Sequence, residues 1–249
     1  MPVHDSNGVT WVLVPGAGGS AWYWHLVEPE LRRRGHRVIA VDLPADDPAA
    51  GFTEYADTVV DAARAYGVDG AVVVVGQSMG AFTAPIVCQR LSASLLVLVN
   101  GMIPKPGETA GQWWDNTGQE QARRDNDLRE GRLAAARFDV LTYLMHDVPP
   151  EVVRSGQGQH REQSETPFGQ VWPLTAWPDV PTRALTGRDD RFFPADFQRR
   201  VAEERLGITP DLLPGGHLLA LAHPVELADR LDAYRIDVLT APGRAPSVG

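Results

Sequence analysis

Cysteine and lysine are almost absent from this chain, which holds one of each, Cys88 and Lys105, in 249 residues. A lone cysteine excludes an intramolecular disulfide and any multi-cysteine zinc site. Cys88 follows the apolar run Phe82 to Val87 and reads as a buried, inert thiol. Long hydrophobic runs are also missing, and none approaches the ~20 residues that a membrane span needs. The first eight residues show neither a basic region nor an apolar core, so no signal peptide is expected and cytoplasmic localisation is the expectation. Positive charge is in deficit: 23 Lys+Arg against 32 Asp+Glu leave a net charge of −9. The longest basic run, Arg32-Arg33-Arg34, reads as one solvated helical turn. A nucleic-acid partner is therefore excluded, because phosphate neutralisation supplies most of that affinity, and an anionic membrane would repel the chain. No histidine pair has metal-binding i, i+4 spacing, and Asp46-Asp47 before Pro48 reads as a surface turn, so no metal site is expected.

What is present is an ordinary globular composition, 43% hydrophobic and 22% charged. Short apolar runs alternate with amphipathic stretches. Strands are expected at Val9–Pro15, Arg37–Leu43, Ala71–Val75 and Leu95–Asn100, and helices at Trp22–Arg34, Thr53–Tyr66 and Met79–Leu91. The AVVVV run has no polar alternation, which fits a parallel strand buried on both faces. The rhythm breaks from Gly101 to about Pro178, a Trp-rich, charged segment with helices expected at Gln119–Arg129 and Glu130–Met145. It resumes with a strand at Thr182–Thr186, a helix at Ala195–Arg205, a short run at Asp211–Leu213 and a helix at Val225–Leu239. Residues 241–249 read as a tail. The expectation is a single α/β domain over 1–249, with a mostly parallel, doubly wound sheet and an inserted, mainly helical cap at about 101–178.

Two glycine-rich turns compete for the chemistry. Gly76-Gln77-Ser78-Met79-Gly80 is a G-x-S-x-G between a strand and a helix, where a nucleophile elbow must lie. Small residues two before and two after the serine let the backbone pack closely. The turn holds the hydroxyl at a helix N-terminus, where developing negative charge is favoured. Gly16-Ala17-Gly18-Gly19-Ser20-Ala21 matches a dinucleotide fingerprint, with Asp42 closing the next strand. Against that reading stand Trp22 and Trp24 directly after it, the missing Tyr-x-x-x-Lys dyad and a slightly long distance to Asp42. The same loop can instead present backbone N–H groups to a reacting carbonyl.

An activated serine needs a base and an orienting carboxylate. Of seven histidines, His217 in Pro214-Gly215-Gly216-His217 falls on a loop at the carboxyl edge of the sheet. His4 lies in the N-terminal segment, His25 and His36 flank a helix, His146 and His160 lie in the insertion, and His223 starts the last helix. Gly187-Arg188-Asp189-Asp190 follows a strand at the same edge, and spacing alone does not separate Asp189 from Asp190. The order Ser…Asp…His is that of α/β-hydrolases.

The sequence resembles the α/β-hydrolase fold superfamily over residues 9 to 239. The stretches VLVPGAGGSAWYWHLVEPELRRRGHRVIAVDLP, VVVGQSMGAFTAPIV, LTGRDDRFFP and LPGGHLLAL carry the resemblance. The first is similar to the methylesterase and hydroxynitrile lyase branch, and the GRDDRFFP and PGGH segments look like those of actinobacterial α/β-hydrolases. The resemblance implies Ser78 as nucleophile, His217 as base, Asp190 as acid, and the backbone N–H groups of Ala17 and Met79 as oxyanion donors. Asp190 is chosen because the superfamily's acid usually stands three residues after the glycine of this loop, here Gly187. Three departures matter. The branch usually has His where Pro15 stands, and its lyases have Thr at Gly16 and Lys at Leu218. The missing lysine argues against cyanohydrin cleavage.

The expectation is a cofactor-free serine carboxylesterase acting on a small apolar or aromatic ester. Eight aromatic and apolar residues of the cap include Trp113, Trp172 and Trp177, and the pocket is expected to involve Gly16, Trp114, Tyr143 and Phe168. The charge-rich stretch Glu120–Arg132 reads as an exposed helix face. Two other classes compete: a cofactor-free lyase using the same residues for proton transfer, and a non-catalytic ligand-binding member of the fold.

Overall fold

Valine and leucine runs without polar alternation lie side by side in the middle of one sheet. The structure, a computed structural model, describes residues 8–68, 70–132, 138–159 and 161–240. Its strands are β1 (Thr10–Val14), β2 (Arg37–Ala40), β3 (Val72–Gln77), β4 (Leu95–Val99), β5 (Thr182–Gly187) and β6 (Asp211–Leu213). They pair in the order β2-β1-β3-β4-β5-β6, and every pairing is parallel. Val72 and Val74 feed the core on one face and Val73 and Val75 the core on the other. Burial on both faces removes any need for a polar position, each valine contributing about 1.5–3 kcal/mol relative to exposure.

The helices follow from the same two faces. Against the first pack α2 (Phe52–Ala65), α3 (Gly80–Leu91) and α9 (Ala195–Leu206). Against the second pack α1 (Val27–Arg33) and α11 (Pro224–Leu239), the latter preceded by the short α10 (Leu219–Ala222). Cys88 is buried in the first core, and burial pushes its thiol pKa well up, as its apolar run implies. No described helix is long and apolar enough to cross a membrane.

Several element bounds differ from expectation for identifiable reasons. The helix expected at Trp22–Arg34 divides into a 3₁₀ turn at Ala21–Trp24 and α1. Ser20 caps the turn by accepting the Trp22 N–H. Pro29, which has no N–H, is tolerated in the first turn of a helix, and α1 begins two residues before it. β2 stops at Ala40 because the chain then bends so that the Leu43 N–H reaches the Gly19 carbonyl, 2.7 Å away.

The insertion holds α4 (Ala110–Thr117), α5 (Gln119–Arg129), α6 (Val140–Tyr143), α7 (Pro150–Ser155) and α8 (Thr166–Gly169). The helix expected at Glu130–Met145 is reduced to α6 among the described residues. Gly131, in the left-handed region at φ 68°, ends α5, and residues 133–137 of that expectation lie outside the described residues, as do His4, His160 and the 241–249 tail. An antiparallel bridge from Thr109 to Val171 closes the base of the insertion. Below it, the buried Glu108 carboxylate takes both Arg205 nitrogens, at 2.6 and 2.9 Å. Three tryptophans of this segment are pinned by their indole N–H: Trp113 to the Ile103 carbonyl, Trp172 to that of Phe82 and Trp177 to that of Pro104. The stretch Glu120–Arg132 is exposed only in part. Asp127 is wholly buried and accepts from the Tyr143 hydroxyl at 2.7 Å and Arg132 at 2.9 Å, with Arg123 one turn away on the same inward face.

Candidate active site

β3 ends in a turn that only small neighbours permit. Ser78 sits in the left-handed region at φ 50°, a conformation that costs a non-glycine residue about 1–3 kcal/mol. A Cβ on Gly76 would lie 2.7 Å from the Ala84 Cβ, and one on Gly80 only 2.6 Å from the Pro15 carbonyl oxygen. The serine is thus lifted off the sheet at the start of α3, with Gly80 close against the carbonyls at the end of the neighbouring β1. The Gly16 loop passes alongside: a Cβ there would lie 3.0 Å from the Ser78 Cβ and 2.5 Å from the Gln77 side-chain oxygen.

Two loops at the carboxyl edge converge on this serine. His217 Nε2 lies 3.1 Å from Ser78 Oγ, and His217 Nδ1 lies 2.8 Å from Asp190 Oδ2. The second Asp190 oxygen accepts the N–H groups of Phe192 and Phe193, both at 2.8 Å, which fixes the carboxylate's plane. Ser78, Asp190 and His217 are all buried. Asp189 points elsewhere. It is exposed and its carboxylate accepts the Gly215 N–H at 3.1 Å, so geometry separates the two aspartates that spacing left open.

The expected oxyanion donors are Met79, directly after the serine, and Ala17, directly after Gly16. Met79 is the N-cap residue of α3, at the helix end where backbone N–H groups have no intrahelical acceptor. Ala17 is exposed, whereas the next N–H groups of its loop are engaged: Gly18 donates to the Gln163 side chain at 3.0 Å and Gly19 to the Gly16 carbonyl. Asp42, the acid of the dinucleotide reading, spends one oxygen on the Ala21 N–H and the other on Arg161 of the insertion, both at 2.8 Å. Among the described residues no cluster of His, Cys, Asp and Glu could hold a metal ion.

The expected pocket residues fall in different places. Trp114 rests on Phe192 and Phe193, whose rings meet the His217 ring edge-on at 5.2 and 4.9 Å. Tyr143 is buried with its hydroxyl held by Arg123 and Asp127, and Phe168 packs against the α2/α3 core. A cavity of about 710 Å³ opens on the far side of Asp190, among Arg188, Asp189, Arg191, Asp147 and His223 rather than at Ser78.

Sequence reasoning missed five contributors. The Asn100 side chain and the Gln77 amide both reach the His217 carbonyl, and Asp147 of the insertion accepts the Gly216 N–H at 2.6 Å. The N–H groups of Phe192 and Phe193 are the remaining two. Only Asn100-Gly101 left a trace, as a turn dipeptide directly after an apolar strand.

This sheet, with an elbow serine and two converging loops, defines an α/β-hydrolase. The chain belongs to the alpha/beta hydrolase family, whose model matches residues 11–230. Within it the chain resembles methylesterases and hydroxynitrile lyases. Methylesterase 3 of Arabidopsis thaliana is 32% identical over 124 residues, 46% of this chain and 47% of that protein, so the chain spans about half of that relative. The alpha-hydroxynitrile lyase of the same plant is 23% identical over 251 residues, 92% of this chain and 97% of that protein. A pyrethroid hydrolase from Sphingobium faniae JZ-2 shares the fold, with a TM-score of 0.72 at 22% identity, covering 94% of this chain and 98% of its own.

Proposed function

We propose that the protein is a serine carboxylesterase that cleaves a small apolar or aromatic ester through Ser78, His217 and Asp190. The observation that carries this reading is the unbroken chain of contacts, 3.1 Å from Ser78 Oγ to His217 Nε2 and 2.8 Å from His217 Nδ1 to Asp190. In the productive tautomer Nδ1–H donates to Asp190 and the bare Nε2 accepts the serine proton. Ser78 Oγ bonds to the ester carbonyl carbon as His217 takes that proton. The oxyanion is held by the N–H groups of Ala17 and Met79, each worth on the order of 3 kcal/mol of barrier. Collapse expels the alcohol, which receives the proton from His217. Water then gives a proton to His217 as it attacks the acyl-serine, and His217 returns that proton to Ser78 Oγ as the acid leaves. No step needs a cofactor. The Phe192 and Phe193 rings against His217, with Trp114 packed on them, support an apolar acyl or alkoxy group. A single buried cysteine suits a reducing compartment, and action in the cytoplasm belongs to the same reading.

Intact-mass analysis after a fluorophosphonate probe tests the proposal. One adduct per chain, absent in Ser78→Ala, supports it and justifies an ester panel of graded acyl length. A folded wild-type protein that takes no adduct and cleaves no ester of the panel overturns it. The similarity to a hydroxynitrile lyase over 92% of the chain favours a second reading, cyanohydrin cleavage, against which stands Leu218 after the base histidine. Release of benzaldehyde from mandelonitrile, lost in Ser78→Ala without any acyl-enzyme, would move the assignment there. Binding of small ligands with no turnover of either class would leave a non-catalytic member of the fold.

A further inference from the structure

Asn100 is fully buried, and its side chain does more than close a turn. Its Oδ1 accepts the Gly187 N–H at 2.8 Å, at the start of the loop that carries Asp190. Its Nδ2 donates to the Gly216 carbonyl at 3.2 Å and to the His217 carbonyl at 2.9 Å, on the loop that carries the base. One amide therefore joins the end of β4 to segments 87, 116 and 117 residues away in sequence. Its backbone belongs to the same junction: the Asn100 N–H donates to the Leu185 carbonyl at 2.9 Å, while the preceding Val99 carbonyl accepts the Ser78 N–H at 3.1 Å.

The residue type matches the demand. Asn100 adopts the left-handed region at φ 46°, where asparagine is among the few side chains commonly found. The amide must present an acceptor on one side and two donors on the other, a pattern that aspartate, serine and alanine cannot reproduce. The two loops it joins approach so closely that a Cβ on Gly187 would lie 2.3 Å from the Gly216 carbonyl oxygen.

The structure assigns Asn100 as a positioning residue that sets His217 against both Ser78 and Asp190 by fixing the carbonyl of His217 itself. The assignment rests on the esterase reading for its kinetic consequence, and on geometry alone for its structural one. Two variants test it. Asn100→Gly keeps the backbone conformation and deletes the amide. Asn100→Asp keeps the shape and the Gly187 contact but turns an oxygen toward the two carbonyls.

The first readout is the downfield proton resonance of His217 Nδ1–H in the resting protein, assigned by its loss in Asp190→Asn. It should shift or broaden in both variants. The second is steady-state hydrolysis of p-nitrophenyl acetate, where kcat should fall by about 10²-fold with KM changed less than about threefold. A folded variant with an unmoved resonance and unchanged kcat overturns the assignment, as does a lowered melting temperature with both readouts intact. If Asn100→Gly fails to fold, the isosteric Asn100→Asp carries the same two readouts. A wild type that hydrolyses nothing and takes no fluorophosphonate defeats the esterase reading, and the resonance then decides Asn100 by itself.

Discussion

At the scale of single residues, the acid loop poses the sharpest contrast, because adjacent aspartates do different work. Asp190 offers one oxygen to His217 and the other to two backbone N–H groups. An amide there presents a donor where an acceptor is needed and stabilises the wrong imidazole tautomer. Asp190→Asn should lower kcat by about 10⁴-fold in a folded protein. Asp189→Asn retains an oxygen for the Gly215 N–H and should cost less than about tenfold. Kinetics of both variants on one ester checks the pair, and a reversed ranking would reassign the acid. The elbow glycines pose a second contrast. A Cβ on Gly80 faces the backbone oxygens of Pro15 and Val14 at 2.6 and 2.9 Å, and neither can swing away. Gly80→Ala should lose about 1–3 kcal/mol in denaturant unfolding, as an overpacked core site does.

Among the elements, legibility divides by the range of the forces involved. The strands were readable because β3 and β4 are buried on both faces, and that leaves its mark as unbroken apolar runs. The elbow was readable because its two glycines and serine form one five-residue motif between a strand and a helix, although the demand on Gly80 comes from the distant Val14 and Pro15 carbonyls. The supports of His217 were not, since Asn100, Asp147 and the Phe192 and Phe193 N–H groups act across folds of the chain or through backbone atoms that every residue owns. The inward face of α5 was also hidden: the sequence around Asp127 looks solvated, and its burial depends on Tyr143 arriving from the next helix. Asp147 shows how the insertion reaches the site. Its carboxylate holds the Gly216 N–H at 2.6 Å, and a Cβ on Gly216 would strike His146 and Asp147 at 2.6 and 2.8 Å. Asp147→Ala leaves a buried donor unmet and should cost about 1–3 kcal/mol. It should also slow fluorophosphonate labelling of Ser78, and unchanged stability and labelling would show that the insertion does not brace the base loop.

On the scale of the whole molecule, two buried titratable groups, His36 and Glu108, and the half-buried His146 set how stability responds to acid. His36 is held below its ordinary pKa by burial, which outweighs the bond from its Nε2 to Asp232 at 3.0 Å. Burial lowers His146 in the same way, against the pull of Asp147. In the unfolded chain both return to about 6.5, so below that pH the unfolded state binds more protons. Their contribution is complete above about pH 6.5 and is lost as the pH falls through their lower native values. Glu108 adds a second stage. Burial alone would raise its carboxyl, but the hydrogen bonds from Arg205 and Asn116 prevail and hold it below the ordinary range. Its contribution is present above about pH 4.3 and disappears on further acidification. The net charge of −9 works the other way, because acidification relieves self-repulsion. At about 0.15 M salt that long-range term is screened beyond roughly 8 Å, while buried groups keep their effect. The melting temperature should therefore drop in two steps, the first beginning as the pH falls below about 6.5 and the second below about pH 4.3. His36→Gln should lower the melting temperature at pH 8 yet flatten the first step. A melting temperature constant from pH 8 to 5.5 in the wild type would show that these histidines bear no such load.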